Sequence, residues 1–222
     1  KLLSVMTHEI MNSIAPISSL AETLQNSLQA SEENPKENPL EIEDLKAGIG
    51  SIKKRSEGLM LFAKTYRSLN KITHLNTSKV KVAALFANIK NLMLPSLKNK
   101  HVEVVFESES PHLEVEIDAY LIEQVLINLI LNALDAVEGT TGTTVRVLAS
   151  KNSKGQVVIR VADNGMGIPD EILDQVFVPF FTTKKTGSGI GLSLCKQIML
   201  LHKGKISIQS IAGKGTVVSL VF

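Results

Sequence analysis

Three residues close to the start of the chain carry side chains that can take part in chemistry. His8, Glu9 and Asn12 lie within the stretch "SVMTHEIMNSIAPI". A histidine there can bind a metal, pack in a core or take part in a reaction. The stretch "HEIMN" nearly matches the zinc-protease pattern HExxH, but Asn12 stands where the second histidine ligand belongs. Zinc binding is therefore disfavoured, while a reactive histidine and an inert surface histidine both stay open.

A second pair of polar side chains lies in the apolar stretch "QVLINLILNALDAV". Asn128 and Asn132 are four residues apart, which places both amides on one face of a helix. Amides on the buried side of a helix need hydrogen-bonding partners, and nearby backbone groups can supply them. Alternatively, their oxygens belong to a site for Mg²⁺, which prefers hard oxygen ligands and retains waters.

The stretch "ADNGMGIP" directly follows a strand-like segment. Asp163 offers an acceptor there, and Gly165 and Gly167 allow the backbone to approach a ligand closely. A simple turn at the end of a strand is the competing interpretation, because Asp-Asn-Gly favours turns by itself.

The stretch "FVPFFTTKKTGSGIGLSL" is harder to explain by structure alone. Its phenylalanines can anchor an otherwise polar segment whose hydroxyl and ammonium groups suit phosphate. These polar residues are Thr182, Thr183, Lys184 and Lys185. Gly187, Gly189 and Gly191 then open a helix, whose N-terminal N–H groups favour anions. The stretch matches neither the phosphate-binding loop GxxxxGK[ST] nor a Rossmann fingerprint.

Two helices are predicted to carry the first group of residues. From residue 3 to residue 28 apolar residues recur with helical spacing, and His8 and Asn12 fall on the opposite side. The polar stretch "ASEENPKENPLEIED" breaks this helix, and a second heptad-patterned helix follows. Such a hairpin buries its wide apolar stripe by pairing with a second copy in a four-helix bundle, which predicts a homodimer. The alternative is that the hairpin packs on the second domain.

After Leu69 strand and helix patterns are interspersed. Strands are predicted at 80–82, 102–108, 113–117, 144–150, 156–162, 205–210 and 216–222, and helices at 83–98, 119–137 and 189–201. Asp118 is the predicted N-cap of the middle helix. A glycine-rich loop spans 163–188, and the last two strands form a hairpin. This order predicts an α/β sandwich, in which helices cover one face of one mixed sheet.

The composition supports two domains and argues against several classes of protein. The chain has 222 residues, of which 44% are apolar, and its net charge of +2 gives no broad case for nucleic-acid binding. A single cysteine, Cys195, rules out an internal disulfide framework and fits a reducing compartment. No apolar run approaches the roughly 20 residues of a membrane span. The chain opens with "KLL" already in a helical pattern, so we expect a fragment of a longer protein.

Taken in order, these stretches resemble the sequence boxes of sensor histidine kinases of two-component signalling. "HEIMN" resembles the H-box, "NLILNALDA" the N-box, "DNGMGIP" the first glycine box, "FVPFFTTK" the F-box, "GSGIGL" the second glycine box and "GKGT" the last. Each box is weak evidence alone, but the set in the family's order is specific. The resemblance covers essentially the whole chain. Within the family, the chain most resembles the nitrogen-regulation kinases, in which asparagine also occupies the position of Asn12.

The resemblance implies two domains and a fold for each. Residues 1–72 would form the dimerisation and phosphoacceptor hairpin, and residues 73–222 an ATP-binding sandwich of the type shared with gyrase. His8 would then take phosphate from ATP, and Glu9 would accept the proton from the other ring nitrogen. Asn12 would orient a water that removes phosphate from the partner protein.

The resemblance also implies an ATP site and its magnesium ion. Asn132 would hold Mg²⁺ with support from Asn128, and Asp163 would accept from the adenine amino group. The other residues implied to bind ATP are Gly165, Gly167, Lys184, Lys185, Gly187, Gly189, Gly191, Leu192 and Thr216. A response regulator would receive the phosphoryl group, with no role for nucleic acid and no direct membrane contact. The chain would be the cytoplasmic portion of its parent, which can itself be membrane-anchored.

Two departures from the family pattern are visible. The proline that usually follows the asparagine is Ser13 here, and Pro16 inside the helix is expected to kink it or remove a hydrogen bond. The family's "HGG" reads "HKG", with Lys203 in the middle. Two other functions stay open: a gyrase-like ATPase, which usually has glutamate at the position of Asn128, and a non-catalytic dimerising scaffold.

Overall fold

The computed structural model describes residues 2–35, 37, 41–70, 75–97, 102–138, 142–184, 187 and 189–222. Within its helices, the described side chains exclude those of residues 2–10, 12, 13, 61, 62, 64–70 and 96. The chain divides into two compact units, Lys1–Lys71 with Pro179–Ile190, and Ile72–Val178 with Gly191–Phe222. The first unit thus includes a segment, Pro179–Ile190, that lies in sequence between two parts of the second.

The first unit is built on two long helices, α1 (Leu2–Glu33) and α2 (Ile42–Asn70). The helices pack against each other, and a Cβ atom added to Gly48 of α2 would lie 2.7 Å from Cδ2 of Leu24 on α1. α1 extends three residues past Ala30, where the sequence predicted a loop, because the first helix-stopping proline is Pro35. The helix is continuous through Pro16.

Large apolar side chains stay exposed on both of these helices. They are Met11, Ile14 and Leu28 on α1 and Ile42, Ile49 and Met60 on α2. Two helices alone have too little mutual surface to cover apolar stripes of this width. The periodicity predicted this surplus of apolar surface.

The second unit contains two sheets and four helices among its described residues. Its elements in chain order are β1 (Ser78–Lys81), α3 (Val82–Leu97), β2 (Glu103–Ser108), β3 (Glu114–Ile117), α4 (Ala119–Ala136), β4 (Thr144–Lys151), β5 (Val157–Asp163), α5 (Asp170–Leu173), α6 (Gly191–Leu201), β6 (Lys205–Ile211) and β7 (Gly215–Val221). The larger sheet has the order β2-β4-β5-β7-β6. β2 and β4 are parallel and the other neighbours antiparallel, so the predicted mixed sheet and the β6–β7 hairpin are confirmed.

The expectation of one sheet is wrong for two short strands. β1 pairs with β3 in a separate antiparallel ribbon, in which Val80 lies opposite Val115. The alternating pattern of β3 shows that Val115 and Ile117 share a buried face. That pattern is the same whichever strand lies beside it, so it does not reveal the partner.

The covered face of the larger sheet is apolar along most of its length. Val147, Val161 and Val218 lie opposite one another on β4, β5 and β7, and all three are buried. α4 contacts these three strands and buries eight of its own residues. By length and composition alone α4 could cross a membrane, which the sequence analysis did not foresee. Its buried side chains make it the central core helix of this unit.

Asp118 begins α4 as predicted and also joins two other parts of the unit. Its Oδ1 accepts from the backbone N–H of Leu121, and its Oδ2 accepts from the N–H of Asn76. Its own N–H donates to Nε2 of His202, whose Nδ1 lies 2.8 Å from the Ile198 carbonyl oxygen. Since Nε2 accepts, Nδ1 carries the proton and donates to that carbonyl. His202 therefore links the end of α6 to the start of α4.

Candidate functional site

The two asparagines of the N-box-like stretch form a hydrogen-bonded pair on α4. Nδ2 of Asn132 donates to Oδ1 of Asn128 across 3.2 Å, and both side chains are half-buried. The donor and acceptor of one amide point away from each other. With its nitrogen turned toward Asn128, Asn132 uses the other atom of its amide, the oxygen, outside this hydrogen bond.

Gly191 at the first position of α6 lies directly against this pair. A Cβ atom added to Gly191 would stand 2.6 Å from both Nδ2 and Oδ1 of Asn128, so any other residue would require the Asn128 amide to move. The glycine thus lets the N-terminus of α6 reach the polar side of α4. Leu192, the next residue in the helix, is half-buried. Backbone N–H groups at such a helix start favour an anion.

Asp163 ends β5 on the covered face of the sheet. Its carboxylate accepts from the backbone N–H of Gly165 at 2.9 Å, and the N–H of Thr216 on the neighbouring strand also donates to it. Burial raises the pKa of the Asp163 carboxyl above its ordinary value, and these two hydrogen bonds oppose the shift without cancelling it. A carboxylate held here is an acceptor in a partly dehydrated environment.

The turn after Asp163 packs on the C-terminal end of α4. The N–H of Met166 donates to the Ala136 carbonyl across 3.0 Å, and a Cβ atom on Gly165 would lie 2.3 Å from that same oxygen. Gly167 has a φ of 67° and leaves no room for a side chain beside the Ile211 backbone. The close packing brings Asp163 and the end of α4 together, one helical turn beyond Asn132.

Thr216 and Ser210 extend the polar end of the sheet. Thr216 lies opposite Asp163 on β7 and opposite Ser210 on β6, so the three side chains form one row. Oγ of Ser210 lies 2.9 Å from Oγ1 of Thr216 and also accepts from the N–H of Ile168. Thr216 was a candidate from the sequence, whereas Ser210 was not. Ser210 reaches this end of the sheet only through the register of β6 and β7. Its position shortly before the "GKGT" stretch was the one signal in the sequence.

The segment Pro179–Ile190 belongs to the first unit, and a backbone hydrogen bond joins its two ends. The N–H of Phe180 donates to the Gly189 carbonyl at 2.9 Å, and the φ angles of these two residues are 68° and 70°. Between them, Oγ1 of Thr182 accepts from the N–H of Lys184, and a Cβ atom on Gly187 would stand 2.4 Å from that Oγ1. Thr183 is exposed, and Lys185 lies outside the described residues.

The three residues of the H-box-like stretch lie on α1. The backbone of His8, Glu9 and Asn12 is helical there, and the spacing of four between His8 and Asn12 places both on one side of the helix. Their side chains lie outside the described part of the structure. The predicted orientation of His8 away from the apolar stripe therefore stays a prediction.

The described residues contain no group of three or more histidine, cysteine, aspartate or glutamate side chains that could hold a metal. The single cysteine is buried in the core, where burial raises the pKa of the Cys195 thiol to about 12.

Similarity to known proteins runs through the whole chain. Residues 117–222 match the family described as "Histidine kinase-, DNA gyrase B-, and HSP90-like ATPase". The chain is 30% identical over 215 residues to the "Sensor histidine kinase ZraS" of Salmonella typhimurium, covering 97% of this chain and 43% of that protein. The chain spans less than half the length of the first curated relatives it matches.

Two solved structures match as well. The catalytic domain of the histidine kinase ThkA is 30% identical, with a TM-score of 0.59, over 67% of this chain and 95% of that one. The structure of ThkA in complex with the response regulator TrrA is 25% identical, with a TM-score of 0.60, over 100% of this chain and 60% of that one.

Proposed function

The chain belongs to the sensor histidine kinases of two-component signalling, and from this membership we propose that it transfers the γ-phosphoryl group of ATP to its own His8. The observation that carries the proposal is the joint packing of the site elements in the second unit. Gly191 fits against Asn128, and the turn after Asp163 packs on the end of α4 beyond Asn132. Along α4, the Asp163 carboxylate, an acceptor for a base, thus lies beyond one end of the amide pair. The start of α6, which suits phosphate, lies at the other end.

Each residue of the ATP site has a proposed role. The Asp163 carboxylate accepts from the amino group of adenine, beside Gly165, Gly167 and Thr216. The N–H groups at the start of α6, at Gly191 and Leu192, meet phosphate oxygens. The segment around Lys184 and Lys185 supplies positive charge, and Gly187 and Gly189 let it close over the nucleotide.

The amide pair suits Mg²⁺ by the chemistry of its donors. Asn132 has its nitrogen engaged by Asn128, so its oxygen is the atom of that amide that would meet a cation. One protein oxygen is enough for Mg²⁺, which keeps waters and takes further ligands from phosphates. When bound, the ion neutralises charge on the triphosphate.

The transfer itself is proposed to run through His8 and Glu9. A neutral imidazole has a lone pair near neutral pH, and one ring nitrogen attacks the γ-phosphorus while the bond to the ADP oxygen breaks. Glu9 takes the proton from the other ring nitrogen as positive charge develops on the ring. The products are ADP and phosphohistidine, and the phosphoryl group then moves to an aspartate of a response regulator.

The hairpin, proposed to span residues 1–72, is also the proposed dimerisation domain. The exposed apolar residues of α1 and α2, such as Ile14 and Ile49, would be covered when two hairpins form a four-helix bundle. Residues 73–222 would form the catalytic domain, with the segment Pro179–Ile190 acting as its closing loop. These residues would lie in the cytoplasmic portion of the parent protein, which can itself be membrane-anchored.

Incubating the protein with γ-labelled ATP tests the proposed function against two other activities. A histidine kinase acquires label that is lost in acid and kept in base. A gyrase-like ATPase releases labelled phosphate and stays unlabelled; the amide of Asn128 argues against it, because an amide cannot act as general base. A dimerising scaffold neither acquires label nor releases phosphate. The proposal would be refuted if the protein stays unlabelled, whether or not it releases phosphate.

A further inference from the structure

We propose that Ser210 is a positioning residue that orients the Thr216 hydroxyl and thereby makes this end of the site select adenine over a base with an oxygen at the same position. The inference rests on the proposed function, since it assumes that a purine nucleotide binds beside Asp163. Beyond that function, Ser210 would determine which bases the site accepts at the edge that carries position 6.

The row that contains Ser210 is polar, at one end of a covered face that is mostly apolar. Asp163, Thr216 and Ser210 lie side by side on β5, β7 and β6. The row two residues deeper holds Val161, Val218 and Ile208. Thr216 is only 7% exposed, so its hydroxyl sits where an unmatched polar group is costly.

The contacts of Ser210 favour one position for its hydroxyl proton. A hydroxyl has one proton and two lone pairs. One lone pair of Ser210 accepts from the N–H of Ile168 at 2.8 Å, and its proton is donated to the Gly215 carbonyl at 2.9 Å. The 2.9 Å contact with Oγ1 of Thr216 allows either hydroxyl to donate, and with the Ser210 proton on the Gly215 carbonyl the proposal assigns the donor role to Thr216.

With its proton turned toward Ser210, Thr216 presents only lone pairs to a ligand. The Asp163 carboxylate beside it also accepts, so this end of the site consists of acceptors. Adenine places an amino group at position 6, which donates, whereas hypoxanthine places a carbonyl oxygen there. An acceptor row attracts the amino group and repels the oxygen, and a missing or opposed hydrogen bond in a closed site discriminates strongly.

Removing the Ser210 hydroxyl frees the proton of Thr216. In Ser210→Ala, Thr216 can rotate its O–H toward a carbonyl oxygen at position 6 and donate to it. We therefore expect the ratio of the Kd for IDP to the Kd for ADP to fall about tenfold from its wild-type value. A merely structural role would weaken the two nucleotides equally, because they differ only at the base edge, and would leave the ratio unchanged.

The experiment measures ADP and IDP affinity by calorimetry on the full chain. Ser207→Ala is the matched control, because Ser207 is a half-buried serine on the same strand that faces the other side of the sheet. Ser207→Ala should keep the ratio, and Ser210→Thr, which retains a hydroxyl, should restore it. A wild-type ratio in Ser210→Ala would overturn the proposal.

A second variant keeps the test decisive if Ser210→Ala fails to fold. Thr216→Val removes the hydroxyl from the row but leaves the bonds of Ser210 to Ile168 and Gly215 in place. Its IDP to ADP ratio should also fall, and an unchanged ratio would contradict the inference. Wild-type protein that binds neither nucleotide would instead refute the proposed function.

Discussion

Nδ2 of Asn132 donates to Oδ1 of Asn128 across 3.2 Å, one helical turn apart on α4. The bond fixes which atom of each amide is used inside the pair. Oδ1 of Asn128 is engaged, and the same side chain packs against the first residue of α6. We infer that Asn128 acts by orienting Asn132 and that Asn132 is the residue that meets the cation.

This division of roles predicts the effect of Asn132→Ala. Loss of the cation-binding oxygen should lower the rate of autophosphorylation by at least about 100-fold while the thermal unfolding curve stays close to wild type. Gln124→Ala is the matched control, because Gln124 is an exposed amide on the same helix. Wild-type rates and an unchanged Mg²⁺ requirement in Asn132→Ala would show that the asparagine is structural. Tighter nucleotide binding without transfer would instead indicate a positioning role.

Burial of Asp163 predicts a pH dependence of nucleotide binding. The pKa of this carboxyl is raised above the ordinary 3.8, so it takes up a proton at a higher pH than an exposed aspartate. Nucleotide affinity should fall as pH decreases through that raised value, since the protonated group no longer offers an ionised acceptor. Binding titrations of ADP across the acidic range measure this fall.

The same group has the opposite effect on stability. Between the unfolded and the folded pKa the native state binds more protons, so the free energy of unfolding without nucleotide should decrease as pH rises through that window. Asp163→Asn should remove this dependence and weaken ADP about 10- to 100-fold at neutral pH. Asp170→Asn, at an exposed carboxylate, is the control and should change neither property.

The left-handed conformation of Lys203 accounts for the glycine that the family pattern has at this position, and it predicts a stabilising change. Its φ is 56°, a left-handed conformation that glycine adopts without strain and a lysine does not. Lys203→Gly should raise the free energy of unfolding by about 1 kcal/mol in urea and leave the kinase rate unchanged. Lys154→Gly, at an exposed turn lysine without a positive φ, should give no gain. A loss of stability in Lys203→Gly would contradict the explanation.

Asn12 is predicted to serve dephosphorylation of the regulator and not phosphorylation of His8. It lies four residues after His8, and for a helix this spacing predicts Cβ atoms about 5–6 Å apart on one face. An amide has a donor and an acceptor, which can hold a water in line with an aspartyl phosphate on a docked partner. Asn12→Ala should keep most autokinase activity and lose most acceleration of regulator dephosphorylation. Equal decay of phosphorylated regulator with wild-type and variant protein would remove Asn12 from the mechanism.

Structural features that depend on residues close together in the chain could be predicted from the sequence. Asp118 could be assigned as the N-cap of α4, and the β6–β7 hairpin could be predicted, because each depends on residues close together in the chain. The register across the sheet could not be predicted, because strands far apart in sequence determine it. Ser210 therefore could not be placed beside Thr216 from the sequence, although Thr216 was a candidate residue.

Contacts between residues far apart in the chain also explain the other differences between the predicted and the observed structure. The separate β1–β3 ribbon depends on a pairing that an alternating pattern does not encode. The left-handed conformation of Lys203 follows from the packed turn between α6 and β6, where sequence alone favours no such geometry for lysine. The membrane-like composition of α4 reflects its place in the core, since eight of its residues are buried and all eight are apolar.

The central claim is that His8 receives the γ-phosphoryl group of ATP bound by the second unit. The most direct test incubates wild-type protein, His8→Gln and His112→Gln with γ-labelled ATP and measures acid-labile, base-stable label on each. His112 is an exposed histidine of the second unit and serves as the matched control. We predict label on wild type and His112→Gln and none on His8→Gln, which should still bind ADP with wild-type affinity. Label that persists on His8→Gln would contradict the account.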